Sequence, residues 1–271
     1  MAARGTAGER AWRLSVIAIL SASGGAGATT VTAHLASAIA QQDKPVLCFD
    51  FCPTNLLRLH FGAAYDAPDG FATALTTGLP WQQFAYASAA GVRFLPFGAL
   101  EDDAALERLC DWLDARPHWF RDSVAAIDLP TDAIVLCDCP RLPAALRNQV
   151  LRAADIVLVV CTPDPLSLAA ATRLAGQLEN HGDRLARIMI NGFEAGRSLD
   201  RDMQLILRRL HGRLAAPVTL HRDESLREAL ACKQTVFDYA PDAQAALEFA
   251  ALATWAIMRS SPQLSQESDH A

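Results

Sequence analysis

The sequence predicts an α/β fold: a mostly parallel β-sheet with helices on both faces, built as one domain over about residues 13–259. Three observations lead there. Short apolar runs without alternation recur along the chain, as in "DAIVLCD" (132–138) and "DIVLVVC" (155–161). Continuous apolar character marks strands buried on both faces, which is the condition of a parallel sheet. Helical patterns separate these runs at 142–153, 164–180 and 198–212. Finally, "SASGGAGATT" (21–30) follows the first run directly and opens a helical pattern. Strand, glycine loop and helix in that order make a phosphate-binding unit.

In chain order, residues 1–12 read as a flexible arm. The start has the basic, apolar, small-residue order of a secretory signal. Its apolar run is short, however, and a glycine loop and an amphipathic helix follow, so the expectation is a chain that stays in the cytoplasm. "LSVIAIL" (14–20) is the first strand, and "TTVTAHLASAIAQQ" (29–42) is a helix with Val31, Leu35 and Ile39 on one face. "PVLCFD" (45–50) is the second strand. Residues 61–90, rich in Gly, Ala, Thr and Pro, give no clear assignment. "VRFLPFG" (92–98) reads as a strand and "DDAALERLCDWLDA" (102–115) as a helix. After the strand "RIMIN" (187–191), helices at 223–232 and 242–258 close the domain, and 260–271 reads as a disordered tail.

Composition narrows the function classes. The 271 residues are 51% hydrophobic, enough for one substantial core. A net charge of -6 removes any global drive toward DNA or anionic lipid. The densest basic stretch, "LRRLHGRL" (207–214) with Arg222 and Arg227, reads as a solvated helix face, with DNA contact as the alternative. No run approaches the ~20 apolar residues of a membrane span. The helix 242–258 carries almost no cation before Arg259, so it reads as core rather than as a membrane anchor. Seven cysteines lie in apolar runs, as reduced core thiols do. Cys48, Cys52, Cys137 and Cys139 combine C-x3-C with C-x-C and read as ordinary thiols rather than a zinc site. The histidines are scattered, with no hydrolase or metalloenzyme spacing.

The candidate site gathers at the strand ends. Gly24, Gly25 and Gly27 let the backbone curl around phosphate oxygens. Thr29 stands where a hydroxyl ligates Mg2+. Asp50 and Asp138 end two later strands, and ligands of parallel sheets bind beyond the carboxyl ends of strands.

This pattern resembles the deviant-Walker-A ATPases related to MinD and ParA, whose loop reads K-G-G-x-G-K-[ST]-T. Here the loop is Ser23, Gly24, Gly25, Ala26, Gly27, Ala28, Thr29, Thr30, and both lysines are missing. Within that group the chain is similar to the BcsQ (YhjQ) family of bacterial cellulose-synthase operons. The resemblance rests on "FDFCPTNLLRL" (49–59), "LPFGAL" (95–100), "INGF" (190–193), "HRDESL" (221–226) and "KQTV" (233–236). It implies a P-loop fold that binds ATP and Mg2+ between the two copies of a homodimer. Asp138 is then the Walker B aspartate that holds the Mg2+ water shell, and Asp50 the first acidic residue of the switch region, a catalytic position. Cys52 stands where the ATPases usually carry a second, water-positioning aspartate. Asn191 falls where the group reads adenine, and Pro217 to Asp223 where a second base-side loop lies. The resemblance also implies a small BcsR-like partner, a BcsE-like regulatory partner, and recruitment by partners to an inner-membrane cellulose synthase and secretion complex.

The departures shape the expected activity. Phosphoryl transfer rests on positioning and charge stabilisation, so losing both lysines should slow hydrolysis more than it weakens binding. Lys44 precedes the second strand and Lys233 sits near the C-terminus, so a replacement cation has to be arginine, with Arg58 and Arg141 as candidates. The expectation is a nucleotide-holding dimeric switch or scaffold with weak hydrolysis. The alternatives are a ParA-like DNA-partition ATPase and a nucleotide-free scaffold.

Overall fold

A computed structural model describes residues 14–180 and 185–261. The arm expected at 1–12 and the tail from 262 onward lie outside the described residues. The sheet has eight strands: β1 (Ser15–Ser21), β2 (Val46–Asp50), β3 (Tyr86–Ala87), β4 (Arg93–Leu95), β5 (Ile134–Cys139), β6 (Ile156–Cys161), β7 (Leu185–Phe193) and β8 (Leu220–His221). Their spatial order is β3-β4-β2-β5-β1-β6-β7-β8. Only the edge pair β3–β4 is antiparallel. The central strand β1 is flanked by β5 and β6, each in parallel register.

Both faces are covered, which is why the strand runs are continuously apolar. Alternate residues feed two cores: Val16, Ala18 and Leu20 point to one, Ile17 and Ile19 to the other. The first core packs under α3 (Asp103–Asp114), α4 (Trp119–Ala125), α5 (Ala144–Ala153), α6 (Pro165–Asn180) and α7 (Ser198–His211). An aromatic cluster fills it, with Phe49 5.0 Å from Phe120 and Phe51 4.7 Å from the same ring. The second core is roofed by α1 (Ala28–Ala40) against α10 (Gln244–Ser260), where Leu35, Ile39, Phe249 and Leu252 are fully buried. The C-terminal helix is therefore core, as its composition predicts. No helix among the described residues is long and apolar enough to cross a membrane.

Several elements differ from the sequence reading. The strand expected at 92–98 stops at Leu95. Pro96 has no N–H for a ladder, and the carbonyls of Pro96 and Phe97 accept from Phe71 and Ala72 at the start of α2 (Phe71–Thr77). Gly70 makes this approach possible, since a Cβ there would stand 2.2 Å from the Gly98 nitrogen. The unassigned stretch 61–90 holds α2, the edge strand β3 and a 3-10 turn at Trp81–Phe84. The arginines of the basic stretch stay at the surface: Arg208 and Arg209 are exposed on α7, and the exposed Arg213, Arg222 and Arg227 pair with Glu179, Glu194 and Glu224.

Candidate functional site

The glycine loop leaves the carboxyl end of β1 and enters α1. Gly25 (φ 75°) and Gly27 (φ 93°) adopt left-handed backbone that side chains other than glycine rarely tolerate. Gly27 is the N-cap of α1; no side chain caps it and the first turn holds no acid. The first N–H groups of the helix and the positive end of its dipole are thus offered to an anion. Gly24 and Gly25 are exposed, and a Cβ on either would meet nothing within 4 Å, so the cradle is open.

Asn191 on β7 fixes the floor of this loop. Its Nδ2 donates to the Ala26 carbonyl at 2.8 Å, and a Cβ on Gly27 would stand 2.5 Å from the same nitrogen. Gly27 is therefore required twice, by its φ and by Asn191. Gly27→Ala should cost about 1–2 kcal/mol for the backbone alone. Adding Asn191→Ala should restore part of the further loss, a coupling of about 0.5–3 kcal/mol between touching residues. Urea denaturation of both single variants and the double variant reads this out; strict additivity would remove Asn191 as the loop's prop.

Ser23, at the first missing lysine, is bound within its own chain. Its Oγ lies 2.8 Å from Ser167 Oγ, on the first turn of α6. Ser167 is buried, accepts the Thr162 N–H and donates its own N–H to Asp164. The Asp164 carboxylate, which also takes the Thr162 hydroxyl, is held below the usual range by these bonds. The sequence reading did not use this chain of side chains, although an Asp directly before a Pro that opens a helical pattern is a helix-start signal.

Two carboxylates meet below the loop. β2 and β5 pair with Asp50 directly beside Asp138, both essentially inaccessible to solvent. Thr29 Oγ1 donates to Asp138 Oδ2 at 2.6 Å. Asp138 Oδ1 has no hydrogen-bond partner. Asp50 accepts the N–H of Cys52 at 2.9 Å and of Leu57 at 3.1 Å. Burial pushes the Asp138 carboxyl up to about 6, against the pull of the Thr29 hydroxyl. Burial, then the charge of Asp138, holds Asp50 well above the carboxylate range. Two buried acids and a hydroxyl, with one oxygen unpartnered, match the hard oxygen ligation of Mg2+. Thr29, Asp138 and Asp50 are the residues that could hold it. Burial pushes the Cys52 thiol far up, so unless a metal ion displaces its proton it stays protonated and cannot act as a base.

The remaining expected site residues divide. Arg58 is corrected: it is neither a surface arginine nor a phosphate ligand. It is buried, and its guanidinium donates to the carbonyls of Asn55, Ala64 and Tyr65, clamping the segment after the switch region. The Asp223 carboxylate accepts the N–H groups of Ser225 and Ala245, each at 3.0 Å, and so ties the segment after β8 to the first residues of α8 (Ser225–Ala231) and α10. Pro217 is exposed on the segment before β8, whose Leu220 pairs with Asn191. Lys44 binds Asp132 at 2.8 Å at the amino ends of β2 and β5, away from the loop. Arg141 is exposed, just past β5. All seven cysteines are free, and Cys48, Cys137 and Cys139 are buried in strands, as ordinary thiols are.

Comparison with known proteins gives this geometry a lineage. Residues 14–257 match the model of a family described as cellulose biosynthesis protein BcsQ. The Escherichia coli K12 protein of that description is 31% identical over 254 residues, covering 90% of this chain and 95% of its own length. Among solved structures, MinD of Pyrococcus horikoshii complexed with Mg-ADP superposes with a TM-score of 0.72 at 22% identity, over 90% of this chain and 96% of that one. A ParA family ATPase of Chlorobium tepidum gives 0.66 at 19% identity, over 89% and 98%. The fold is the P-loop fold of MinD and ParA.

Proposed function

The chain belongs to the BcsQ family of cellulose biosynthesis proteins, and on that premise we propose that it is an ATP- and Mg2+-binding homodimeric switch or scaffold with slow hydrolysis. The observation that carries the reading is the uncapped start of α1 behind an open glycine cradle, with Thr29 tied to a buried Asp138. Backbone N–H groups and the helix dipole take the phosphates. Mg2+, when bound, neutralises phosphate charge and orients the terminal phosphate. Thr29 and Asp138 hold it, and Asp50 stands beside them, oriented by the Cys52 and Leu57 N–H groups. Adenine falls to the side of Asn191 and Pro217.

Slow hydrolysis follows from what is absent. Ala28 and Ser23 bring no charge to the phosphates, Arg58 is committed elsewhere, and the Cys52 thiol cannot position water as a carboxylate does. A nucleotide held without fast turnover suits a clamp. Exposed Leu56, Leu142 and Leu166 all follow elements that end at the mouth of the site, and they support pairing of that face with a second copy. The exposed apolar rim also suits the small BcsR-like partner, with a BcsE-like protein and the cellulose synthase complex beyond it. The net charge of -6 speaks against a DNA surface.

Thermal denaturation with and without ATP-Mg2+, run beside sedimentation, tests the reading. Ligand at about 100 Kd should add about 2.7 kcal/mol of stability, and ATP should raise the dimer fraction above that seen with ADP. No shift with any nucleotide would leave a nucleotide-free scaffold.

A further inference from the structure

The same acidic centre contains a sulfur. One donor atom each from Asp50, Cys52 and Asp138 can be chosen so that all three lie within 4.8 Å of one another. Among the described residues this is the only such group of three. Cys52 is half-buried, and its Sγ lies 3.8 Å from the Asp138 carbonyl. We propose that Asp50, Cys52 and Asp138 form a mixed sulfur–oxygen site for a borderline transition-metal ion of the Zn2+ class, occupied without nucleotide and in preference to Mg2+.

The donor chemistry separates the two classes of ion. Mg2+ demands near-octahedral oxygen ligation and does not seek sulfur. Zn2+ and Co2+ accept thiolate and carboxylate together. Bond lengths of about 2.0–2.3 Å set the ligand–ligand edges of a tetrahedron at about 3.3–3.8 Å. Rotation of the short Cys52 side chain, on the loop after β2, brings its sulfur toward the two strand-borne carboxylates. The unpartnered Asp138 Oδ1, on a residue only 1% exposed, gains its missing partner from the ion. The N–H groups of Cys52 and Leu57 already hold Asp50 as outer-shell donors hold a ligating carboxylate. On binding, the Cys52 thiol and any protonated carboxyl of the pair release their protons to solvent, and no oxidation state changes.

Cobalt titration of the full metal-free chain tests this, because a thiolate bound to Co2+ gives a near-ultraviolet charge-transfer band. Cys110 and Cys232, the other thiols open to solvent, are replaced by serine to silence them. The expected result is a stoichiometric band that Zn2+ abolishes and a large excess of Mg2+ does not. Cys52→Ser should remove the band. Asp138→Asn should weaken binding by at least the roughly 10–100-fold that loss of an outer-shell partner costs. Cys52→Asp, an all-oxygen site, should let Mg2+ displace the ion. A band unchanged in Cys52→Ser, equal displacement by Mg2+, or no band in protein with a cooperative melt would each overturn the proposal. The titration contains no nucleotide, so a chain that fails to bind ATP can still pass it.

Discussion

Ala28→Lys should raise single-turnover phosphate release by about 10²–10³-fold, the amount one well-placed charge-stabilising donor contributes in other sites. Ala28 is the first residue of α1 and occupies the place of the missing loop lysine. A unit charge about 4 Å from a phosphate oxygen is worth about 4 kcal/mol at an effective dielectric of 20. Only the part that grows toward the transition state speeds the reaction; the rest tightens nucleotide. Ala28 is 7% exposed, so an ammonium there without a phosphate is costly. The variant should therefore be less stable than the parent without nucleotide and regain stability with ATP-Mg2+. Ala28→Met, of similar length and no charge, should show neither gain. Rapid-quench phosphate release and nucleotide titration measure both effects. If the lysine changes neither rate nor affinity, the loop does not hold phosphate.

Asp138→Asn should separate stability from function, making the nucleotide-free protein more stable while weakening Mg2+-dependent nucleotide binding by about 10–100-fold. Burial pushes the Asp138 carboxyl from the ordinary 3.8 up to about 6. Across that window the folded chain binds more protons than the unfolded one, so stability falls as pH rises. The cost is complete above the folded value and absent below the unfolded one. Two units correspond to about 3 kcal/mol at most. A neutral amide removes that cost, so the variant should melt higher at pH 8, by roughly 2–4 °C for each kcal/mol. At pH 4 the two proteins should melt together. Melting curves of metal-free protein without nucleotide across pH give the answer, and a variant less stable than the parent at pH 8 would mean that the carboxylate is already compensated. Adding Mg2+ and ATP should reverse the order, since only the parent carries the charge they need.

The sheet was legible because its signal is local. Strands buried on both faces are largely apolar, so β1, β2, β5 and β6 announce themselves in five to seven residues each, and the nine-residue β7 in the run at 187–191. The loop was legible for a similar reason: "SGGAGATT" places three glycines and a hydroxyl between a strand and a helix, and few other uses demand that order. Short elements escaped. β8 has two residues and α9 (Val236–Tyr239) four, too few for a period to show.

What the sequence alone determined is the inventory: a parallel sheet, a phosphate loop, two strand-end acids, and the absence of the loop's cations. Those are properties of neighbouring residues, and spacing records them. Tertiary structure decided which side chains remain available. Arg58 had the right charge and nearly the right place, yet three carbonyls consume it. Asn191 lies 165 residues from the carbonyl it holds, and Cys52 meets Asp138 only because β2 pairs with β5. A hydrogen-bonding group buried away from water must find a partner, and that partner is set by packing, to which sequence spacing is blind.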